Sequence, residues 1–282
     1  NIGIPTSGIS LSYSNSGLIG SGDADILVSL SHQHGPTGAH IRRLRLALAR
    51  EFPGTLFYFL PADIVSQTLN FGLPAPFDVQ IVGRERARNR EVAARLAERI
   101  RRIPGAVDVR VQQPSDQPKL RIEVDRARAS DLGQTEQSVA NSILVALSGS
   151  GQVRPGYWIN PRNGINYLIN VSTPQHQIHA LDAIDSLPIT GGVSGEGQVL
   201  SSVADYHRVS GPPVVSHYNV QPVIDVFGAA DGRDLGGVLS DMDPLLVMAR
   251  RELPKTSQLV VRGQAETMRS SFTGLAVGLA GA

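Results

Sequence analysis

The sequence predicts an α+β fold in which repeated β-α-β units pair into split (ferredoxin-like) sandwiches and a further α+β subdomain is inserted into one of them. Three observations predict it. One phrase, an amphipathic helix followed by an apolar residue, a proline and a strand, recurs along the chain. A strand-like run precedes each of those helices. A long interval with a different pattern separates the second and third copies, and it is bounded on both sides by chain-breaking residues.

The first copy is Phe52-Pro53-Gly54 leading into Leu56-Phe57-Tyr58-Phe59-Leu60. The second is Ile103-Pro104-Gly105 before Val107, Val109 and Val111, and the third is Leu253-Pro254-Lys255 before Leu259-Val260-Val261. Proline at that place stops the helix and biases the residue before it towards extended backbone. The helices carry their apolar residues on one face: Ile41, Leu44 and Leu48; Val92, Leu96, Ile100 and Ile103; Leu235, Val238, Met242 and Leu246. Residues 24–30, 77–82 and 223–227 are the preceding strand candidates. A right-handed crossover makes the strands flanking each helix parallel neighbours. Pro244 interrupts the third helical pattern, as a kink or as the first turn of a helix restarted after Asp243.

Between the second and third copies, Leu120, Ile122 and Val124 alternate as a strand, and Asp125 caps a short helix that Leu132-Gly133 closes. Thr135 caps a second helix running through Val139, Ile143 and Leu147. Strand candidates at 152–159 and 165–171 flank the turn Asn160-Pro161-Arg162-Asn163-Gly164. The expected organisation is a first subdomain over 1–75 and a second split between 76–114 and 212–266. Residues 115–211 form the insertion between those halves, and 267–282 form a final helical stretch.

The bulk properties exclude several functions. A net charge of +1 provides no field for gathering nucleic acid. With 41% hydrophobic and 18% charged residues the chain is globular rather than disordered. The absence of cysteine removes disulfide frameworks and thiolate metal sites. The first residue is Asn1, and no signal peptide is visible after it. Residues 272–282 are apolar and uncharged, shorter than the ~20 residues a membrane span requires; they read as the first half of one.

Few residues suggest chemistry. His32 and His34, with His40 nearby, are the best metal candidates, but the pair sits in the polar loop 31–38 without an evident fourth ligand, so no metal site is assigned. His176 and His179 read as a solvated turn. The glycine-rich run 17–22 is followed by a strand-like segment rather than a helix, the wrong order for a phosphate loop. No G-x-S-x-G elbow is present and no acidic pair stands out, so neither an enzyme nor a cofactor is expected. The alternate residues of 56–60 put one strand face in a core and leave the other free to line a cleft.

Several segments resemble the second large periplasmic loop of resistance–nodulation–division (RND) efflux transporters. They are Leu60-Pro61-Ala62-Asp63-Ile64-Val65, Phe77-Asp78-Val79-Gln80-Ile81, the run from Ile122 to Gly133 (IEVDRARASDLG) and Gly263-Gln264-Ala265-Glu266-Thr267-Met268. The resemblance implies two porter subdomains and an inserted docking subdomain on the periplasmic side of a bacterial inner membrane. It also implies a proton-driven homotrimer working with a periplasmic adaptor and an outer-membrane channel, and export of hydrophobic or amphiphilic compounds, as in the acriflavin-resistance-like branch. A switch loop would fall on Tyr13 to Asp23, placing Asn15, Ser16, Gly17, Leu18 and Ile19 on the substrate path. Leu18 and Ile19 stand where many drug pumps have a phenylalanine. Leu56, Tyr58 and Leu60 would fall on the cleft-lining strand. Met242, Met248 and Met268 lie away from the place where heavy-metal branches cluster methionines, which argues against a soft-metal site of that kind. The alternative reading is a free-standing periplasmic ligand-binding or adaptor protein built from the same sandwiches.

Overall fold

The computed structural model describes residues 3, 19–61, 63–70, 72–178, 180–189 and 197–281. The elements begin with α1 (Thr37–Glu51), α2 (Ile64–Leu69), β1 (Phe77–Val82), α3 (Arg86–Ile100) and β2 (Ala106–Val111). Next are β3 (Gln117–Val124), α4 (Arg126–Asp131), α5 (Glu136–Ser148), β4 (Gly156–Ile159) and β5 (Asn166–Ile169). They are followed by α6 (Leu181–Asp185), β6 (Pro188–Ile189), β7 (Gln198–Val199) and β8 (Ala204–Gly211). The others are β9 (Ser216–Tyr218), β10 (Gln221–Ala230), α7 (Leu235–Glu252), β11 (Gln258–Gly263) and α8 (Gln264–Gly281). These elements form two compact units, one holding 19–115 and the chain from 212 onward, the other holding 116–211.

In the first unit the strand order is β11-β1-β10-β2, with β9 alongside β10. The ladders are antiparallel, with Val79 opposite both Val226 of β10 and Val261 of β11. The strands flanking α3 are therefore not neighbours, contrary to the expectation from the crossover rule. β10 lies between β1 and β2, and β1 lies between β10 and β11. Each β-α-β unit is split by a strand of the other, so the halves complete one another's ladders.

One sheet face carries the core. Phe77, Val79 and Ile81 meet Val92, Leu96 and Ile100 of α3 and Val238, Leu239, Met242 and Leu246 of α7. The helical spacing read from the sequence is the spacing that is buried. Two glycines are required by close approach. Gly228 lies so near the Phe77 ring that a Cβ would overlap it, and Gly263, at φ +86°, would bring a Cβ within 2.8 Å of the Pro76 carbonyl oxygen. Helix α7 starts from an Asp234 cap and runs unbroken through Pro244, so neither a restart nor a cap at Asp243 is present.

The first copy of the repeat departs further from expectation. Residues 24–30 hold only a single bridge residue, Ala24, and 56–61 form no ladder. Helix α1 forms as predicted but buries none of its residues. A lone β-α-β unit supplies no strand to pair with its own and no cover for its sheet face. The unit at 77–111 finds both in 221–263, whereas 24–60 has no such partner among the described residues. Its apolar side chains consequently stay in contact with solvent, Leu27 at 92% and Leu46 at 77% exposure.

In the second unit β3 and β8 pair from Gln117 with Gly211 to Val124 with Ala204. Asp125 caps α4 by accepting the Ala127 and Arg128 N–H groups at 3.0 and 3.1 Å. Thr135 and Ser138 form a reciprocal capping box on α5. The core gathers Ala129, Val139, Ile184, Leu187, Ile189, Leu200 and Val203. Both expected hairpin strands are present but shorter, β4 starting at Gly156 and β5 ending at Ile169. Strand β8 was not anticipated, because its largely exposed residues show no apolar alternation. No described helix is long and apolar enough to cross a membrane.

Candidate functional site

The helix-free face of the first unit's sheet is the chemically distinctive surface. Side chains alternate along a strand, so Asp78 and Gln80 point away from the core that Phe77, Val79 and Ile81 enter. Pairing then aligns rows across the sheet. Arg262, Asp78, Phe227 and Arg110 lie abreast, and Gln80 and Asp225 lie abreast in the next row. Asp78, Gln80, Asp225 and Arg110 are all buried.

Gln80 joins this floor together. Its Nε2 donates to Asp78 Oδ2 at 2.8 Å and to Asp225 Oδ1 at 3.1 Å, and its Oε1 accepts from Arg262 Nε at 2.9 Å. Asp225 Oδ2 accepts from Gln113 Nε2 at 2.5 Å, while the Asp225 N–H donates to Gln113 Oε1 at 2.9 Å. Burial holds the Asp78 carboxyl well above the usual carboxylate range, and neighbouring Asp225 pushes it further in the same direction. Asp225 is raised by burial too, against the opposing hydrogen bonds from Gln113 and Gln80. The floor is thus an acidic centre with a high proton affinity.

Guanidinium groups stacked on aromatic rings flank this centre. Arg110 lies 3.5 Å from the Tyr58 ring centroid and 5.2 Å from that of Phe227; Arg262 lies 4.4 Å from that of Tyr218. Burial lowers the pKa of Arg110 and raises that of Tyr58. The remaining wall is the segment 56–61, tied down where the Phe59 N–H donates to Asp108 Oδ2 at 3.3 Å.

Of the residues expected on the substrate path, Tyr58 sits on this floor. Leu56 is exposed and lines a cavity of about 540 Å³ with Arg95, Arg99, Arg102 and Arg110. Leu60 is half-buried. These residues lie on an extended segment rather than on a strand, because no ladder partner reaches them. Asn15, Ser16, Gly17 and Leu18 fall outside the described residues. Ile19 opens a turn in which Asp23 Oδ2 accepts the Ile19 and Gly20 N–H groups at 2.9 and 2.8 Å. His34 Nδ1 is 2.7 Å from the Gly35 carbonyl oxygen, and His179 lies outside the described residues. No group of three or more His, Cys, Asp or Glu side chains able to hold a metal ion occurs among the described residues. Met242 is core, and Met268 packs against it.

The sequence reading missed Asp78, Asp225, Arg110 and Arg262. A signal was present. Phe77-Asp78-Val79 and Ile224-Asp225-Val226 each set one carboxylate in the middle of an apolar strand.

A family model described as the AcrB/AcrD/AcrF family matches residues 23–280. The chain belongs to this family. Among its curated relatives, the nickel and cobalt resistance protein CnrA of Cupriavidus metallidurans is 27% identical over 224 residues, 77% of this chain and 20% of that protein. The cobalt-zinc-cadmium resistance protein CzcA of the same organism is 25% identical over 236 residues, 81% of this chain and 21% of the relative. The crystal structure of a heavy metal efflux pump aligns with a TM-score of 0.66 at 27% identity, covering 85% of this chain and 25% of that one. This chain spans about a fifth of the length of the curated relatives it matches. The family is one of RND transporters, not of enzymes. Both of these relatives are named for metal cations, not for hydrophobic compounds.

Proposed function

We propose that this chain is the periplasm-facing porter and docking portion of a proton-driven inner-membrane RND efflux pump that exports metal cations. The unit with the β11-β1-β10-β2 sheet would be porter material, and 116–211 the docking insertion. Residues 267–282 would begin a membrane span, and 13–23 would form the switch loop. The complete protein would act as a trimer with a periplasmic adaptor and an outer-membrane channel. The observation that carries the substrate assignment is the match to cobalt-zinc-cadmium resistance protein CzcA and nickel and cobalt resistance protein CnrA over most of the chain. A second reading, export of amphiphilic compounds, is favoured by exposed Leu56 in the cavity of about 540 Å³ and by the Tyr58 ring stacked on Arg110, which lines the same cavity.

One experiment separates the two. The complete gene is expressed in a bacterial host stripped of its own efflux pumps, and growth thresholds are measured for nickel, cobalt, zinc and cadmium beside a panel of dyes and detergents. A severalfold rise in tolerance to at least one metal is expected. Protection confined to dyes and detergents would overturn the cation assignment in favour of the second reading.

A further inference from the structure

Residues 37–61 are held to the sheet in an unusual way. Helix α1 buries none of its residues, and 56–61 pair with no strand. Among the described residues, charge pairs tie this piece down, alongside the stacking of Tyr58 on Arg110 and of Phe59 beneath Arg45. Arg45 binds Asp108 through both arms of its fork, Nε to Oδ1 and Nη2 to Oδ2, each at 2.9 Å. Its Nη1 reaches Asp231 Oδ2 at 2.7 Å, and Arg42 adds Asp231 Oδ1 at 3.1 Å. The Asp108 carboxylate also accepts the Phe59 N–H, so one side chain grips both the helix and the wall segment. Its side chain is only 5% exposed, against 23% for that of Arg45.

The backbone has been bent to put that carboxylate there. Asp108 has φ +56°, a conformation that side-chain-bearing residues seldom adopt. It lies at a register shift where Arg110 pairs with Phe227 and Val107 with Ala229, leaving 108 and 109 opposite Gly228 alone. Such a bulge re-aims a side chain at the cost of local ladder bonds, and strain of this kind persists where the surrounding structure exploits it.

We propose that Arg45 and Asp108 form a latch. Closed, it fixes residues 37–61 on the sheet with Tyr58 over Arg110. Open, it frees that wall as one piece while the sheet stays folded. A bidentate pair with one partner buried and the other near solvent suits this role, being geometrically specific yet breakable without exposing a hydrophobic core. The functional meaning of the latch rests on reading 56–61 as a wall of the substrate path; its existence does not.

Hydrogen exchange on the purified chain tests it, with Arg45→Gln, Asp108→Asn and Asp108→Gly. Glycine suits the positive φ, so the last variant removes the carboxylate while relieving the backbone. Amides of 37–51 and 56–61 should exchange about tenfold faster or more in all three variants, with 77–82 and 221–230 within about twofold of the parent. Unchanged exchange over 37–61 would overturn the latch. So would an equal loss of protection in 77–82, which would make the pair a support of the sheet itself. Tyr58→Ala in the complete pump tests the wall separately. If export ignores both Tyr58→Ala and Arg45→Gln while exchange behaves as expected, the latch stands and the substrate-path reading falls.

Discussion

Asp78 and Asp225 hold their protons more tightly when folded, and that sets a direction for stability against pH. A carboxyl with a raised folded pKa contributes stability that is fully present below its unfolded value of about 3.9 and is lost as pH rises through the folded one. Burial is the main cause at both residues, with their mutual repulsion second at Asp78. Asn at position 78 keeps an oxygen for Gln80 Nε2 and has no charge to bury. Asp78→Asn should therefore raise the urea midpoint at pH 8, leave it nearly unchanged at pH 4, and flatten the profile between them. Denaturation series at the two pH values check this. An equal fall in both midpoints would mean that the Asp78 hydrogen bonds outweigh its desolvation.

Pro244 is the clearest anomaly among the elements. It lies inside α7, is exposed, and lacks the N–H that would bond the Ser240 carbonyl. The neighbours Met242 and Leu246 are buried in the core, and their packing holds the helix through the gap. Pro244→Ala should stabilise the chain by about 1–3 kcal/mol, read from the thermal midpoint. No gain would show that the core is shaped around the proline. A complementary case is Thr135, whose hydroxyl accepts the Ser138 N–H at 3.1 Å. Thr135→Ala should cost about 1 kcal/mol by loss of the cap.

At the largest scale, the first unit's sheet is interrupted in sequence by residues 116–211, and that stretch should be removable. Its ends meet, because β3 and β8 pair Gln117 with Gly211. Among the described residues, the core of the first unit contains none from 116–211. Replacing 116–211 with a short Gly/Ser linker should leave the β11-β1-β10-β2 sheet folded, with cooperative urea unfolding and dispersed amide resonances. An aggregated or non-cooperative product would show that the two halves of the sheet depend on the insertion to find each other.

Local physics was legible along the chain. Helical spacing identified the buried faces of α3 and α7, Asp125 and Thr135 announced their helices, and Pro53, Pro104 and Pro254 followed the ends of α1, α3 and α7. These are short-range effects, set by neighbours a few residues apart. Pairing between distant segments was not legible in this way. Crossover geometry predicted parallel neighbours around α3, but β10 came between them because its free edges satisfy both strands at once. The same rules predicted strands at 24–30 and 56–60, and neither forms one, since a strand exists only where another chain segment accepts its hydrogen bonds. The acidic floor depends on this long-range order as well. Asp78 and Asp225 are far apart in sequence and unremarked singly, and only the register of β1 against β10 sets Gln80 between them. The sequence alone determined which residues would be helical, apolar or breaking, while tertiary pairing decided which polar groups became buried neighbours, because burial and charge proximity belong to the assembled sheet and not to any one strand.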